Sequence, residues 1–440
     1  MSYSATDNET CFANKSDPTY QKIAHVQQET SRWLQYVTLC STVPVIFIVP
    51  FLGAYSDTVG RRIALVIPSM FSLIKAVISA FIIFYDLPVY TLLIPSFIEG
   101  CGGGVLAIMM ISFAYISDTT SPMERALRIT IAEGLTLFSA AVAQAGFGFW
   151  IEAYGFLWPY IFLVCLMFVN FVYVLFFVPE TLVCDYKRRF SFVHQIKEIT
   201  DVFKENAFGR RTKLILLIIL IFVDLMPWSA SKGITLLFCV NQPLCWGPKM
   251  VGVYLAGTVL IKSLMGIGGV KTLELLKVPE IWIALIGVTS NMASMYVNAF
   301  AYRDIDMYLV SVVGGLSMLA VSMFRTKISH LVHAHELGAI YAIGASVEAT
   351  CTLIGMAGSQ FIYQKTVTFA PGLAYFVIAS TMLIAFVIVI VYAVYEKHTE
   401  KRLHEAIEAS IQESVDSERS LVSMQESVDS DRSWYPGISP

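Results

Sequence analysis

Long apolar runs constrain this chain more than any other feature. Eleven of them occur, at about residues 33–55, 63–85, 88–116, 126–151, 158–179, 214–240, 250–270, 281–301, 306–324, 337–362 and 373–395. The core of a bilayer requires about 20 mostly apolar residues per spanning helix. Membrane strands would instead alternate over about ten residues, and none of these runs does so. The sequence therefore predicts an all-α polytopic membrane protein.

Composition supports this prediction and excludes other classes of protein. Hydrophobic residues make up 56% of the chain and charged residues only 14%, whereas soluble domains carry about 25% charged residues. These values exclude a soluble enzyme, a nucleic-acid-binding protein, a coiled coil and a disordered protein. The net charge of −3 does not indicate an acidic or basic partner.

Basic residues in the loops predict the orientation, because cytoplasmic loops hold an excess of Lys and Arg. With the N-terminus outside, 21 basic residues lie on the cytoplasmic side and six lie outside. Asn8 and Asn14 are both N-glycosylation acceptors, which agrees with an outer or lumenal N-terminus. The first apolar run begins too late and is too long for a signal peptide.

This orientation predicts five regions. They are a glycosylated outer segment (1–32), a bundle of five spans (33–179), a basic cytoplasmic loop (180–213), a bundle of six spans (214–395) and a disordered acidic cytoplasmic tail (396–440). The tail contains a 13-residue repeat and is too polar to fold on its own. Its Tyr435-Pro436-Gly437-Ile438 has the form of a tyrosine-based sorting signal, a pattern that is also frequent by chance.

A glycine and arginine motif follows the first span. Gly53 allows close approach of the backbone, Gly60 permits a tight turn, and Asp57 can pair with Arg61 and Arg62. The spacing resembles the G-x-x-x-D-x-x-G-R-R loop between helices 2 and 3 of the major facilitator superfamily. The resemblance implies a cytoplasmic gating motif that breaks and reforms as two helix bundles move.

Further loops narrow the resemblance. Residues 179–181 (Pro-Glu-Thr) resemble the end of helix 6 in the same superfamily. The loops at 243–246 (Pro-Leu-Cys-Trp) and 325–332, together with Glu133, are similar to solute carrier family 46, the proton-coupled folate transporter group. The resemblance implies twelve helices, of which the first is missing here. We interpret the chain as a truncated isoform or incomplete gene model rather than a true eleven-helix transporter.

Ionisable residues within the spans are functional candidates, because each costs about 2.5–3.5 kcal/mol at the bilayer centre. They are Lys75, Glu99, Glu133, Asp224, Lys232, Lys262 and Glu348. A carboxylate in a cavity can load and release protons, and the resemblance places a coupling glutamate at Glu133. The alternative is that Glu133 pairs with a lysine and joins two helices. Structural pairing is the favoured role of Lys75 and Lys262.

Asp224, Trp228 and Lys232 lie close together in one span, with Pro227 between the first two. Proline bends a helix, and broken helices mark binding sites in transporters, so these residues are candidates for the substrate cavity. Trp228 could stack on an aromatic solute or pack in the bundle. Lys232 could attract an anion or neutralise Asp224 or Glu348.

Two more cavity candidates, Glu99 and Arg325, each have two possible roles. Glu99 precedes a glycine-rich run that permits close helix packing or local unwinding, and packing is favoured. Arg325 lies at the cytoplasmic end of its span, where it could handle substrate or protons or act as a topology anchor.

Only Cys11 and Cys245 clearly lie in outer segments, where disulfides persist, and we expect them to be bridged. We expect no metal and no cofactor, with protons as the coupling ion. The predicted partners are an organic anion, protons and the lipid bilayer, with a sorting adaptor at Tyr435 as a further candidate.

These features predict a secondary transporter in the plasma or endolysosomal membrane. It would carry an organic anion, folate-like or otherwise conjugated, by proton symport and alternating access. The alternative is a truncated isoform that does not transport and acts as a receptor or partner protein. No nucleophile–base pair is evident, so an enzyme is not expected.

Overall fold

A computed structural model describes residues 18–120, 122–181, 204, 209–332 and 337–432. All regular elements in these ranges are helical. The first bundle contains α1 (Pro18–Val59), α2 (Arg61–Phe84), α3 (Leu93–Cys101), α4 (Gly104–Thr119), α5 (Pro122–Tyr154) and α6 (Leu157–Phe176), with a short 3₁₀ turn at Val89–Leu92 before α3.

The second bundle begins after the central loop, which lies largely outside the described residues. Its helices are α7 (Arg210–Val240), α8 (Pro248–Leu275), α9 (Glu280–Ala299), α10 (Asp304–Val313), α11 (Met318–Leu331), α12 (Leu337–Thr366) and α13 (Leu373–Arg432). α7 begins at Arg210. Its first turn therefore contains Arg210, Arg211 and Lys213, which were expected to lie in the loop.

Nine helices in the described part of the chain are long and apolar enough to cross a membrane. Of the eleven expected spans, α9 and α12 are not among these nine, and the first residues of α12 lie partly outside the described side chains. Both carry buried polar side chains, among them Asn291 and Asn298 on α9 and Gln360 on α12. Such groups lower the hydropathy of a helix that neighbouring helices enclose.

Two expected spans are interrupted in mid-membrane. α3 and α4 are separated at Gly102–Gly103, where Gly103 has a φ of 83°. This break agrees with the local unwinding that the glycine run permits. α10 and α11 are separated by turn residues that begin at Gly314, and the sequence analysis did not anticipate this second break.

The first helix is longer than its apolar run. Residues 18–32, expected to be an outer segment, form the first four turns of α1. Ala24, Gln27 and Ser31 are buried there, because this part of α1 lies along α12. A search for apolar runs misses such a helix, since its polar residues bond to a neighbouring helix.

The last helix is also longer than expected. α13 continues as one helix through Arg432, so the prediction of a disordered tail is wrong up to that residue. The tail contains many residues of good helix propensity, and it extends a helix that is already nucleated in the membrane. Residues 433–440, with Tyr435, lie outside the described residues.

The bundles meet mainly through two pairs of helices. α1 packs along α12, and α5 packs along α8. The loop charges predict which ends of these helices are outer and which are cytoplasmic, and the two ends are named accordingly below. The apolar core of the second bundle includes Leu217, Phe324 and Tyr392, while a smaller core in the first bundle includes Val49 and Ile111.

Candidate functional site

Five side chains of the second bundle form a group that we call the basic cluster. They are Trp228 and Lys232 on α7, Lys262 on α8, Arg325 on α11 and Glu348 on α12. The helices α8 and α12 also contact the first bundle. The basic cluster therefore lies on the side of the second bundle that faces the first.

Lys232 and Trp228 form the centre of the basic cluster. They are four residues apart on α7 and so share a helix face. The Lys232 ammonium lies 3.4 Å from the centroid of the Trp228 ring, a cation–π contact of about 0.5–2 kcal/mol. The Lys232 side chain is exposed and that of Trp228 is half-buried. Both can therefore reach a solute between the bundles.

The remaining charges of the basic cluster do not balance. Glu348 and Lys262 are the charged neighbours that act on Lys232, and Arg325 Nη2 lies 3.5 Å from Glu348 Oε2. Neither lysine forms an ion pair with another described residue. Among the described side chains three bases thus face one acid, and the excess charge suits an anion.

Lys262 has a different role from the structural pairing favoured for it. We expected it to pair structurally, but within the described residues it has no acidic partner. No sequence signal could have revealed this, because its neighbour Lys232 is thirty residues away and on another helix.

Asp224, also expected in the cavity, makes none of the described contacts that define the basic cluster. It is 2% exposed and faces Asn291 of α9. One of its carboxyl oxygens has no hydrogen-bond partner. Pro227 does not interrupt α7, which is a single helix from Arg210 to Val240.

Glu99, another cavity candidate, forms an ion pair with Lys75 that joins α3 to α2. The structural pairing expected for Lys75 is thus confirmed. The glycine run that follows Glu99 serves close packing as well as the helix break. A side chain at Gly100 would strike the backbone carbonyl of Ser41 on α1.

The proton-coupling candidate Glu133 lies on α5. Its backbone is described, but its side-chain contacts fall outside what the structure describes. The interface between α5 and α8 is close, because Gly148 and Gly252 bring the two helix backbones together.

The glycine and arginine motif forms a network at the cytoplasmic end of the first bundle. Gly60 has a φ of 126°, so the predicted turn is confirmed. The backbone N–H groups of Arg61 and Arg62 donate to the two oxygens of Glu180, at 2.8 and 3.1 Å. A carboxylate at a helix N-terminus is stabilised by the helix dipole and the free N–H groups.

The Arg61 side chain extends this network. Its Nε donates to Asp118 Oδ2 of α4 at 2.7 Å, and its Nη1 donates to Ser56 at 2.7 Å. The sequence analysis missed Asp118, and the only available signal was an acid at the cytoplasmic end of a span. The side chain of Asp57, the expected partner, lies outside the described contacts. Gly53 lets α1 approach Met110 of α4.

Hydrogen bonds between the two bundles are concentrated at the outer end. Ser31 donates to the carbonyl of Gln360 at 2.8 Å, and Gln28 donates to that of Gln364 at 3.1 Å. On the other side, the Lys249 N–H donates to Glu152 at 3.1 Å. The described contacts therefore close the outer end.

Cys245 is disulfide-bonded, while Cys40, Cys101, Cys165, Cys239 and Cys351 are free. The two remaining cysteines, Cys11 and Cys184, lie outside the described residues, and the partner of Cys245 is one of them. The Cys11–Cys245 bridge stays a prediction. Asn8 and Asn14 also lie outside the described residues.

Comparison with known proteins supports a transporter. The family model described as Major Facilitator Superfamily matches residues 18–356. Two curated relatives are each 26% identical. They are the lysosomal proton-coupled steroid conjugate and bile acid symporter SLC46A3 of Gallus gallus, matched over 86% of this chain and 83% of the relative, and the proton-coupled folate transporter of Rattus norvegicus, over 91% and 86%.

Solved structures share the fold at lower identity. The human organic anion transporter MFSD10 (TETRAN) superposes with a TM-score of 0.57 at 14% identity and covers 84% of this chain and 91% of its own. A D-xylose-proton symporter gives a TM-score of 0.60 at 17% identity, with coverage of 82% and 88%. The chain therefore belongs to the major facilitator superfamily of membrane transporters, with its curated relatives in solute carrier family 46.

Proposed function

We propose that the protein is a symporter that moves an organic anion together with protons by alternating access. The basic cluster is the observation that carries the proposal. An excess of two positive charges between helix bundles is costly in a membrane. Binding an anion would offset that cost, so the positive charge of the basic cluster favours a negatively charged solute.

The geometry around Lys232 favours an anion with an aromatic or broad apolar body. The Lys232 ammonium already lies over the Trp228 ring, and it is free to turn toward a carboxylate or sulfate. The indole would then offer its face to the apolar part of the solute. Lys262 and Arg325 could hold a second anionic group.

Protons are the proposed coupling ion. The curated relatives are named as proton-coupled symporters of steroid conjugates and bile acids or as a proton-coupled folate transporter. We assign the coupling proton to Glu133, on the resemblance that places a glutamate there. Glu348 is a second carboxylate in reach, since protonation would release Arg325 for the anion.

Alternating access would use the contacts at the two ends. In the structure the bundles are joined at the outer end, by Ser31 with Gln360 and by Glu152 with Lys249. The network of Arg61 with Asp118 lies within the first bundle. We propose that it regulates closure of the cytoplasmic end when the outer contacts separate.

The membrane location and the orientation of the termini are also proposals. We place this multi-pass protein in the plasma or endolysosomal membrane, with an outer, glycosylated N-terminus carrying Asn8 and Asn14. The C-terminus would be cytoplasmic, with Tyr435 available to a sorting adaptor.

Uptake of labelled taurocholate and folate at pH 5.5 and pH 7.4 tests the proposal. We expect uptake of at least one to be faster at pH 5.5, and Glu133→Gln to abolish the acid stimulation. Lys232→Gln should raise the KM about tenfold, because a charge-assisted hydrogen bond contributes about 1.5–3 kcal/mol.

The matched control is Lys271→Gln, which removes an exposed lysine at the far end of α8 and should leave the KM unchanged. Uptake that is equal at both pH values would rule out proton coupling. A KM that does not respond to Lys232→Gln would remove the basic cluster from anion binding.

A further inference from the structure

The cytoplasmic end of the second bundle holds an ion network that the proposed mechanism does not use. Lys327 Nζ on α11 lies 2.8 Å from Glu396 Oε1 on α13 and 3.5 Å from Glu280 Oε2 on α9. We call these three residues the α11 anchor. Lys327 and Glu396 are 19% and 13% exposed, so the ion pair is largely shielded from solvent.

Neighbouring groups tie the α11 anchor to its surroundings. The hydroxyl of Tyr392, a buried residue of α13, donates to Glu396 at 3.4 Å. His330, one turn after Lys327, lies 3.8 Å from Glu280. Arg210 of α7 donates to the Leu331 carbonyl at the end of α11, at 2.8 Å. Three neighbouring helices thus hold the cytoplasmic end of α11.

α11 requires such an attachment because it is the second half of a broken helix. The turn at residues 314–317 replaces the regular helical hydrogen bonds between α10 and α11 with shorter-range ones, such as that from the Ser317 N–H to the Gly314 carbonyl at 3.1 Å. A helix beyond such a break can rotate or shift relative to the first half. Its orientation must therefore be set by its own side-chain contacts.

Arg325 and Lys327 lie on opposite faces of α11. An α-helix advances about 100° per residue, so two residues place these side chains about 200° apart. Lys327 points to α9 and α13, while Arg325 points to Glu348 in the basic cluster. Any rotation that released Lys327 would also move Arg325 away from Glu348.

We propose that Lys327 is a positioning residue: by anchoring α11 to Glu280 and Glu396, it holds Arg325 in the basic cluster. The first bundle shows a related arrangement at corresponding places, with Arg61 at the start of α2 bonded to Asp118 at the end of α4. The signs are exchanged in the second bundle. There the acid Glu280 begins α9, and the base Lys327 lies near the end of α11, the second half of the broken helix.

Two readouts in the full-length protein test this inference. The first does not depend on transport: Ser322→Cys places a thiol on the exposed side of α11, one turn before Arg325. Its labelling by a charged methanethiosulfonate in inside-out vesicles reports the orientation of α11. Lys327→Met should change the labelling rate about threefold or more, and Lys327→Arg should leave it within about twofold, since Arg keeps the charge. The chain without Ser322→Cys gives the background from native cysteines.

The second readout is a double-mutant cycle on taurocholate uptake, and it rests on the proposed function. Lys327→Met should raise the KM about fivefold in the unmodified chain and by less than about twofold when Arg325→Gln is already present. A merely structural role would lower the amount of active protein and leave the KM unchanged.

The outcomes separate the two claims. Absent uptake with an altered labelling rate contradicts the proposed function and supports the α11 anchor. Unchanged labelling and an unchanged KM in a folded Lys327→Met chain overturn the anchor. If that variant aggregates, Lys327→Met with Glu396→Gln leaves no buried acid unpaired there and is judged by the same criteria.

Discussion

Asp224 shows at the scale of one residue how burial changes the meaning of a charge. Its position in the chain, close to Trp228 and Lys232, indicates a shared site. In the structure it is 2% exposed and faces Asn291. No described cation pairs with it, and one oxygen lacks a partner. Because it is buried against α9, we propose that Asp224 contributes to helix packing and does not reach the cavity.

A substitution at this residue tests the assignment. Asp224→Asn keeps the shape of the side chain and supplies a donor that can reach Asn291. We expect the midpoint of thermal unfolding in detergent to stay the same or to rise. The corresponding gain in the free energy of unfolding is at most about 1–3 kcal/mol. Asp86→Asn, in an exposed turn, is the control and should change stability by less than about 0.5 kcal/mol. A large loss of stability at residue 224 alone would show that the negative charge is needed.

At the scale of elements, glycine determines where helices break and where they approach. The breaks at Gly103 and at Gly314 interrupt corresponding spans of the two bundles. Gly148 and Gly252 bring α5 and α8 into backbone contact near the outer end. Pro227, by contrast, leaves α7 continuous.

The crossing of α5 and α8 predicts a test of the outer closure. A Cβ at Gly252 would lie 2.6 Å from the Gln144 carbonyl and 2.9 Å from Gly148 Cα. Gly252→Leu should therefore separate the two helices and open the outer end. With Lys232→Cys as reporter, labelling by an impermeant maleimide from outside should be several-fold faster.

The control for this test is Gly257→Leu on the same helix, since Gly257 has no atom within 4 Å of its Cβ position. It should leave the labelling rate unchanged. Equal rates in both variants would mean that the α5–α8 crossing does not limit access from outside.

At the scale of the molecule, the two bundles pack along α1 with α12 and along α5 with α8, and the described hydrogen bonds between them lie at the outer end. The disulfide of Cys245 adds a covalent connection near that end, because Cys245 follows the outer end of α7. A bridge to Cys11 would connect the segment before α1 to the second bundle. It would then limit how far the outer ends separate.

Peptide mapping without reduction checks this bridge. We expect a linked pair of peptides that contain Cys11 and Cys245, which disappears in Cys245→Ser. The control is Cys165→Ser, which removes an exposed free thiol and should leave the pair intact. Cys245 linked to Cys184 would contradict both the bridge and the predicted topology.

Much of the architecture is readable in the sequence. The apolar runs predicted the spans within a few residues in most cases, and the turn at Gly60 followed from its motif. The polar start of α1, the helical tail and the break at Gly314 did not follow. Each depends on what a helix packs against or continues from, and hydropathy does not record this.

The ionisable residues in the spans show most clearly what the sequence determines and what the tertiary structure determines. By itself the sequence determined which seven ionisable residues lie within spans, because a lone charge stands out in an apolar run. Only the tertiary structure decided their partners: Lys75 with Glu99, Glu348 with Arg325, and Lys232 beside Lys262. The physical reason is that partners are chosen by the faces on which distant helices meet, and these faces are set by the packing of the whole bundle.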